Sequence, residues 1–565
     1  MKKLRWQLFV VAVALVAIAV LLLSQQPELL PGSNPEIEPV TGGIYTEALL
    51  GSFGRLNPLL DYYNQADRDI NRLIFSSLVK FDHRGLPQGD LVDTWGISQD
   101  GKVYNFSIRS DANWHDGQPV TSDDIVFTVE LLRSEQIPLP DDLREFWEDV
   151  EVIVLDEKTL QFRLPEPFSP FLDYLAFGIL PVHHLGDIPA EEILDSEFNL
   201  RPVGSGPFQF NSLIVEENEI KGVVLSRFDG YYKDQPFLEQ IEFIYYQDSV
   251  SALFALQQGE VMGISQVTND ILGEALKSPG MNIYTGRLPQ LNLIFFNLGA
   301  SDKPFLQDAA VRRALLMGLN RNWIIDRIMG GQAILAHGPV FPESWAYYEA
   351  IEQVSFDSER ATTMLKQAGY TIPAEGGSVR AKEGVALSFE LVHPDIPPYP
   401  QIAEKIRSDW RVLGVEVNLV SVPYDELISD YLEPRTYDAA LVEINFSRSP
   451  DPDPYPFWHQ AQADAGQNYS QWDDRQASEY LEQARVTVDL NERTRRYRNF
   501  QVRFAAELPA LALFYPVYSF GISNQVQGVS VGPFYDTSDR FSTITSWFLF
   551  SASVDGDGLE ATVTP

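Results

Sequence analysis

Trp114-His115-Asp116 sets a base beside a carboxylate, His183-His184 sets two imidazoles side by side, and Arg448 stands in a loop rich in proline and aspartate. These are the residues whose types could do chemistry. Acid–base catalysis at His115 and Asp116 would need a nucleophile in a triad-like setting, and none accompanies them; a turn that hydrogen-bonds its own side chains accounts for the pair. Adjacent side chains point apart on an extended segment, so His183 and His184 are expected at the surface with no shared metal. Asp555-Gly556-Asp557 has the opening of a calcium loop, but the glutamate such a loop needs later does not follow. The absence of cysteine excludes disulfides, thiolate catalysis and thiolate-bound metals. With neither a Walker motif nor a dinucleotide fingerprint, no cofactor is expected, and any ATP chemistry must belong to a partner. The planar guanidinium of Arg448 could grip a carboxylate or phosphate with two parallel hydrogen bonds, or lie exposed on its loop.

The elements that position these residues are legible from pattern. Asp116-Gly117 makes a tight turn, and Thr121 or Ser122 can cap a helix opening at Asp123-Asp124. Before it, Ser98 to Arg109 reads as a turn and an alternating strand. Helices are expected over 122–132, 308–317, 400–413 and 477–490. In the third, Ile402, Ile406, Trp410 and Leu413 share one face and should be core. A strand is expected over 414–420. Gly204-Ser205-Gly206-Pro207 supplies a permissive turn, either near a chain crossing or as a plain structural turn. Strand-like runs alternating with amphipathic helices argue for an α/β architecture.

At 565 residues the chain exceeds one ordinary core, so two or three domains are expected. The 79 acidic against 42 basic residues give a net charge of −37, which makes nucleic acid an improbable partner. Lys2, Lys3 and Arg5 precede an apolar run from Leu8 to Leu23, the pattern of an export signal. No small-x-small cleavage site follows it, and retention as an N-terminal anchor is favoured over cleavage, with the body on the outer side of the membrane. Prolines at 27, 31, 35 and 39 mark an extended linker.

The stretch Asn113-Trp114-His115-Asp116-Gly117 through Phe127, with the strand before it, resembles the signature of family-five extracellular solute-binding proteins, the peptide and nickel receptors of ABC importers. Further parts recur in the family's order: Gly42-Gly43-Ile44-Tyr45, Leu56-Asn57-Pro58, Ile74 to Val79, Arg201 to Phe208, Phe295-Phe296-Asn297 and Asp308 to Leu315. The resemblance implies a two-lobed α/β fold of the periplasmic-binding-protein type, class II, with an additional inserted domain. Mapped onto this chain, residues 1–25 are signal or anchor, 26–41 linker, 42–80 with 200–286 and 519–550 the first lobe, 81–199 the insert, 287–518 the second lobe and 551–565 a flexible tail.

It also implies an extracytoplasmic monomer without enzymatic activity that captures a peptide or small solute between its lobes and delivers it to permease subunits. A ligand-presenting sensor, or a receptor for an oligosaccharide, opine or metal chelate, is the alternative. The candidate contacts are Asn292, Asn445, Phe446, Ser447, Arg448 and Asn468. Peptide receptors of the family carry an aspartate a few positions before an Asp-Pro; aligned on Asp451-Pro452 that position is Arg448, and aligned on Asp453-Pro454 it is Pro450. Neither is acidic, which points toward an anionic or strongly hydrogen-bonding solute unless another carboxylate, such as Asp451, meets an amine. Phe446, Trp458 and Trp472 could stack on a sugar ring or an apolar side chain, each otherwise being core.

Overall fold

A computed structural model describes residues 39–374, 376–447 and 449–550. The apolar run Leu8 to Leu23, the linker up to residue 38, the Asp555-Gly556-Asp557 motif and Arg448 lie outside the described residues. Among the described residues no helix is long and apolar enough to cross a membrane.

The chain enters the first lobe with β1 (Ile44–Leu50) and α1 (Gln65–Ile74), the helix capped by Asn64, whose side chain accepts from the N–H groups of Ala66 and Asp67. A separate four-stranded sheet follows, formed by β2 (Val92–Ile97), β3 (Val103–Ile108), β4 (Glu151–Asp156) and β5 (Thr159–Arg163) in the order β2-β3-β5-β4. With it come α2 (Ser122–Arg133) and the one-turn helix α3 (Val182–Leu185). The chain returns to the first lobe through β6 (Phe208–Glu216), β7 (Glu219–Arg227), β8 (Gln240–Tyr246) and β9 (Gly263–Ile264). Then β10 (Met281–Arg287) and β11 (Gln290–Phe296) carry it into the second lobe. That lobe holds α4 (Ala309–Met317), β12 (Ala333–Leu335), β13 (Ser388–Pro394), α5 (Tyr399–Val412), β14 (Glu416–Val422), β15 (Ala439–Asn445), α6 (Arg475–Val486) and α7 (Leu490–Glu507), and β16 (Ala510–Ser523) leads back.

Among the described residues twelve strands share one sheet, in the order β14-β13-β15-β11-β16-β9-β1-β8-β7-β6, with β10 and β12 pairing β16 off that path. Its middle is the passage between lobes. Residues 510–514 of β16 run antiparallel to β11, and residues 517–523 run antiparallel to β10. At the crossing the Leu288 N–H donates to the Pro516 carbonyl at 3.1 Å, and prolines 289 and 516 withhold donors of their own. Two adjacent strands are thus thinned of ladder bonds at the same level of the crossing.

Gly204 and Gly206 serve elsewhere. A Cβ on Gly204 would lie 2.0 Å from the Ile74 carbonyl oxygen and one on Gly206 2.3 Å from that of Leu73, so these glycines admit the C-terminal end of α1 against the backbone. The expected core face of α5 is buried as read, Ile402, Ile406, Trp410 and Leu413 all being fully enclosed. One helical expectation divides: the run over 477–490 is two helices. The β-branched run Val486-Thr487-Val488 interrupts it, and the Asp489 carboxylate accepts the Glu492 N–H at 2.8 Å to start α7 afresh.

Candidate ligand-binding cleft

The Trp114–Gln118 turn builds frame. Gly117 takes φ +88°, and its N–H closes on the Trp114 carbonyl at 2.9 Å. The His115 backbone N–H donates to the Gly204 carbonyl at 2.8 Å, while its ring accepts the Gly204 N–H at Nδ1 (3.1 Å) and donates from Nε2 to the Gly206 carbonyl (3.1 Å). Burial drives the His115 pKa down to about 4, and a proton on Nδ1 would also displace the Gly204 donor. Asp124 is the hub of the same junction: its carboxylate accepts the Thr121 N–H (2.8 Å), the Trp114 indole N–H (3.3 Å) and the Val182 N–H that starts α3 (2.9 Å). His115 and Asp124 thus tie the turn, α2, α3 and the Gly204–Gly206 segment together. His183 and His184 depart from the extended segment expected of them: in α3 their rings converge, both Nε2 atoms reaching Asp116.

A cleft of about 2150 Å³ lies between the lobes and is lined by residues of the first lobe, the insert and the second lobe. Several wall cations already have partners. Arg68 pairs with Asp536 at 2.9 Å, Arg72 with Asp539 at 3.3 Å, Lys233 with Asp90 at 2.6 Å and Arg485 with Asp453 at 2.6 Å. The Arg485 guanidinium also lies 4.0 Å over the Tyr455 ring and 5.3 Å over Phe168, tying the second lobe to the insert. Asp451 is buried against Arg493 and accepts the Tyr497 hydroxyl at 3.2 Å, so it is not available to meet a solute amine. Asp173 reaches over from the insert and accepts the Asp451 N–H at 2.6 Å and the Ser449 hydroxyl at 2.9 Å; burial and then the Asp451 carboxylate push its pKa well up.

Glu443 differs from these acids. It stands near the end of β15, lines the cleft, and is register partner of Asn292 on β11. The Asn292 amide donates to it at 3.2 Å, and no lysine or arginine pairs with it among the described residues. Burial raises its carboxyl above the usual range, the Asn292 hydrogen bond offsetting part of the rise.

Asn445, Phe446 and Ser447 continue from β15 along the cleft wall. The Phe446 N–H donates to Pro289 at the crossing (2.8 Å), its ring meets Phe457 edge-on at 5.3 Å, and Asn445 Oδ1 accepts the Ser447 N–H at 2.8 Å. Asn292 bears on the cleft through Glu443 rather than by lining it. Asn468 is fully buried and does not line the cleft, though Gln467 and Tyr469 beside it do: it donates to the His459 and Trp472 carbonyls at 3.1 and 2.9 Å and accepts from Ser470 and the Trp472 N–H, a brace for its own loop. Trp458 and Trp472 are core. Glu443 escaped sequence reasoning although one signal for it existed, a lone carboxylate in the otherwise apolar strand Ala439 to Ile444.

Known proteins agree with this architecture. The profile of bacterial extracellular solute-binding proteins, family 5 Middle, matches residues 87–467. The chain belongs to this family. Its members are substrate-binding receptors of ABC importers that act outside the cytoplasm, and they are not enzymes. The oligopeptide-binding protein AppA of Bacillus subtilis is 26% identical over 529 residues, 91% of this chain and 92% of its own length. The dipeptide-binding protein of Escherichia coli K12 is 25% identical over 461 residues, 78% of this chain and 83% of its own. In fold the chain is similar to HbpA2 of Haemophilus parasuis, with a TM-score of 0.77 at 21% identity over 90% of this chain and all of that one.

Proposed function

We propose that this receptor captures a solute bearing a cationic group, a peptide amine being the leading chemistry, in the interlobe cleft and delivers it to an ABC permease. The observation that carries the reading is Glu443, a cleft carboxylate with an amide neighbour and, among the described residues, no paired cation. An ionised acid so enclosed is costly until a positive charge reaches it. The printed names of AppA and the dipeptide-binding protein support the same class. In this reading Asn445, Phe446 and Ser447 line the solute beside Glu443, and Arg448 remains a candidate for its anionic end. The lobes take the residue ranges assigned from sequence, and the crossings at 288–289 and 516–517 let them close on the solute.

The test is calorimetry on the solute that mass spectrometry finds released from gently purified protein. Glu443→Gln should weaken a cationic solute by about 3 kcal/mol or more, as loss of one member of a buried pair does, while leaving the protein folded. A solute without a positive group, or one that binds Glu443→Gln equally well, overturns the assignment. We further propose that the run Leu8 to Leu23 anchors the receptor in the membrane; a mature N-terminus beyond Ser24 on most molecules would refute that.

A further inference from the structure

His183, His184 and Asp116 meet at the protein surface and are not among the residues that line the cleft. The His183 and His184 Nε2 atoms lie 2.8 and 3.0 Å from the same oxygen, Asp116 Oδ2, and the three donor atoms all fall within 4.8 Å of one another. Neither Nδ1 has a protein partner among the described residues, so each ring can carry its proton there and turn a lone pair inward from Nε2.

The donors are held from behind. Asp116 sits in the Trp114–Gln118 turn, where its other oxygen accepts the Gln118 N–H at 3.1 Å. The histidines ride on α3, whose first N–H is fixed by Asp124 and whose Leu185 is buried in the core, and the His183 ring lies 6.2 Å from that of the buried Trp114. Side-chain exposures of 20%, 39% and 28% for His183, His184 and Asp116 leave the site open on one side.

We propose that His183, His184 and Asp116 form a binding site for a divalent transition metal of the zinc and nickel class, distinct from the solute cleft. Two imidazoles and a carboxylate are the donor set such ions prefer, with water in the fourth position. Metal–ligand bonds of about 2.0–2.2 Å ask the donors to sit somewhat farther apart than they do now, a change that side-chain rotation supplies. The ion would pin the Trp114–Gln118 turn to α3 across the same junction that His115 and Asp124 hold. This site does not depend on what the cleft binds.

The full chain should be titrated with zinc and with cobalt in excess calcium and magnesium, which occupy the acidic surface. One equivalent of zinc is expected, with the cobalt form showing the visible absorption of a four-coordinate nitrogen and oxygen site. His183→Ala and His184→Ala, each at an exposed position that the fold tolerates, should weaken zinc by about tenfold or more, since loss of even an outer partner does that much at metal sites. Glu443→Gln should leave zinc affinity unchanged. No stoichiometric zinc in the native chain, or the same affinity in the His183→Ala/His184→Ala double variant, overturns the site; zinc lost on Glu443→Gln assigns the metal to the cleft instead.

Discussion

The Trp114–Gln118 junction and the end of β15 are both polar and both tie segments distant in sequence, yet the first is satisfied throughout and the second is not. At the junction His115 exchanges hydrogen bonds with the backbone of Gly204 and Gly206, and the Asp124 carboxylate accepts from Thr121, Val182 and the Trp114 indole, so each polar side chain is saturated with donors or acceptors. At the strand end the Glu443 carboxylate has, among the described residues, one amide donor and no paired cation. A saturated junction resists change, whereas an unsatisfied group is free energy held for something that arrives later. The difference separates the frame from the site.

The largest effect should come from a residue that lies beside the site but belongs to the frame. Asp451→Asn leaves the buried Arg493 guanidinium without its carboxylate, and breaking such a pair costs about 3–5 kcal/mol. Urea unfolding should register that loss, while the molecules still folded bind solute nearly as before. If affinity collapses with stability intact, Asp451 is a ligand residue and the division drawn here is wrong.

The same division explains what the sequence made legible. The signature stretch could be recognised because a turn needing Gly117 at positive φ, a capped helix and a close approach at Gly204 constrain many residues jointly, and joint constraint leaves a pattern. The alternating strands and the buried face of α5 were readable for the same reason. The site was not: a solute needs a few isolated groups whose meaning lies in what they lack, and no periodicity shows that Glu443 has no cation or that Asp451 and Asp453 already have theirs. Asn468 misled in the reverse sense, since a buried loop brace and a ligand contact are the same residue type in a sequence. The convergence of His183 and His184 depended on one helical turn, too short to leave a periodic trace.

Acid should act on the two regions with opposite sign. His115 falls from its ordinary 6.5 to about 4 in the folded protein, so the unfolded chain takes up the proton first. Its contribution is complete above about 6.5, drains away as pH falls toward 4, and amounts to on the order of 3 kcal/mol. Glu443 is raised, so its burial costs stability as pH climbs through its folded value and the cost vanishes in acid. Unfolding free energies between pH 7 and 4 should fall less steeply in His115→Gln than in the native chain, and Glu443→Gln should be the more stable protein at pH 7. A native slope retained in His115→Gln would place the acid sensitivity outside the junction.

The smallest effect sharpens the boundary where frame and site touch. Asn445 is exposed on the cleft wall, yet its Oδ1 also accepts the Ser447 N–H at 2.8 Å and so shapes the turn that carries Phe446. Asn445→Ala removes one partly exposed hydrogen bond, whose net worth is about 0.5–1.5 kcal/mol, and water can take over the freed N–H. If the side chain serves the turn, Asn445→Asp, which keeps the acceptor, should restore stability. If it serves the solute through its amide N–H groups, Asn445→Asp should restore stability but not affinity. For a cationic solute the added carboxylate would instead tighten binding, so calorimetry on Ala and Asp variants together separates the three roles. Identical affinity in the native chain and both variants would remove Asn445 from the site and leave Glu443 and Phe446 to define it.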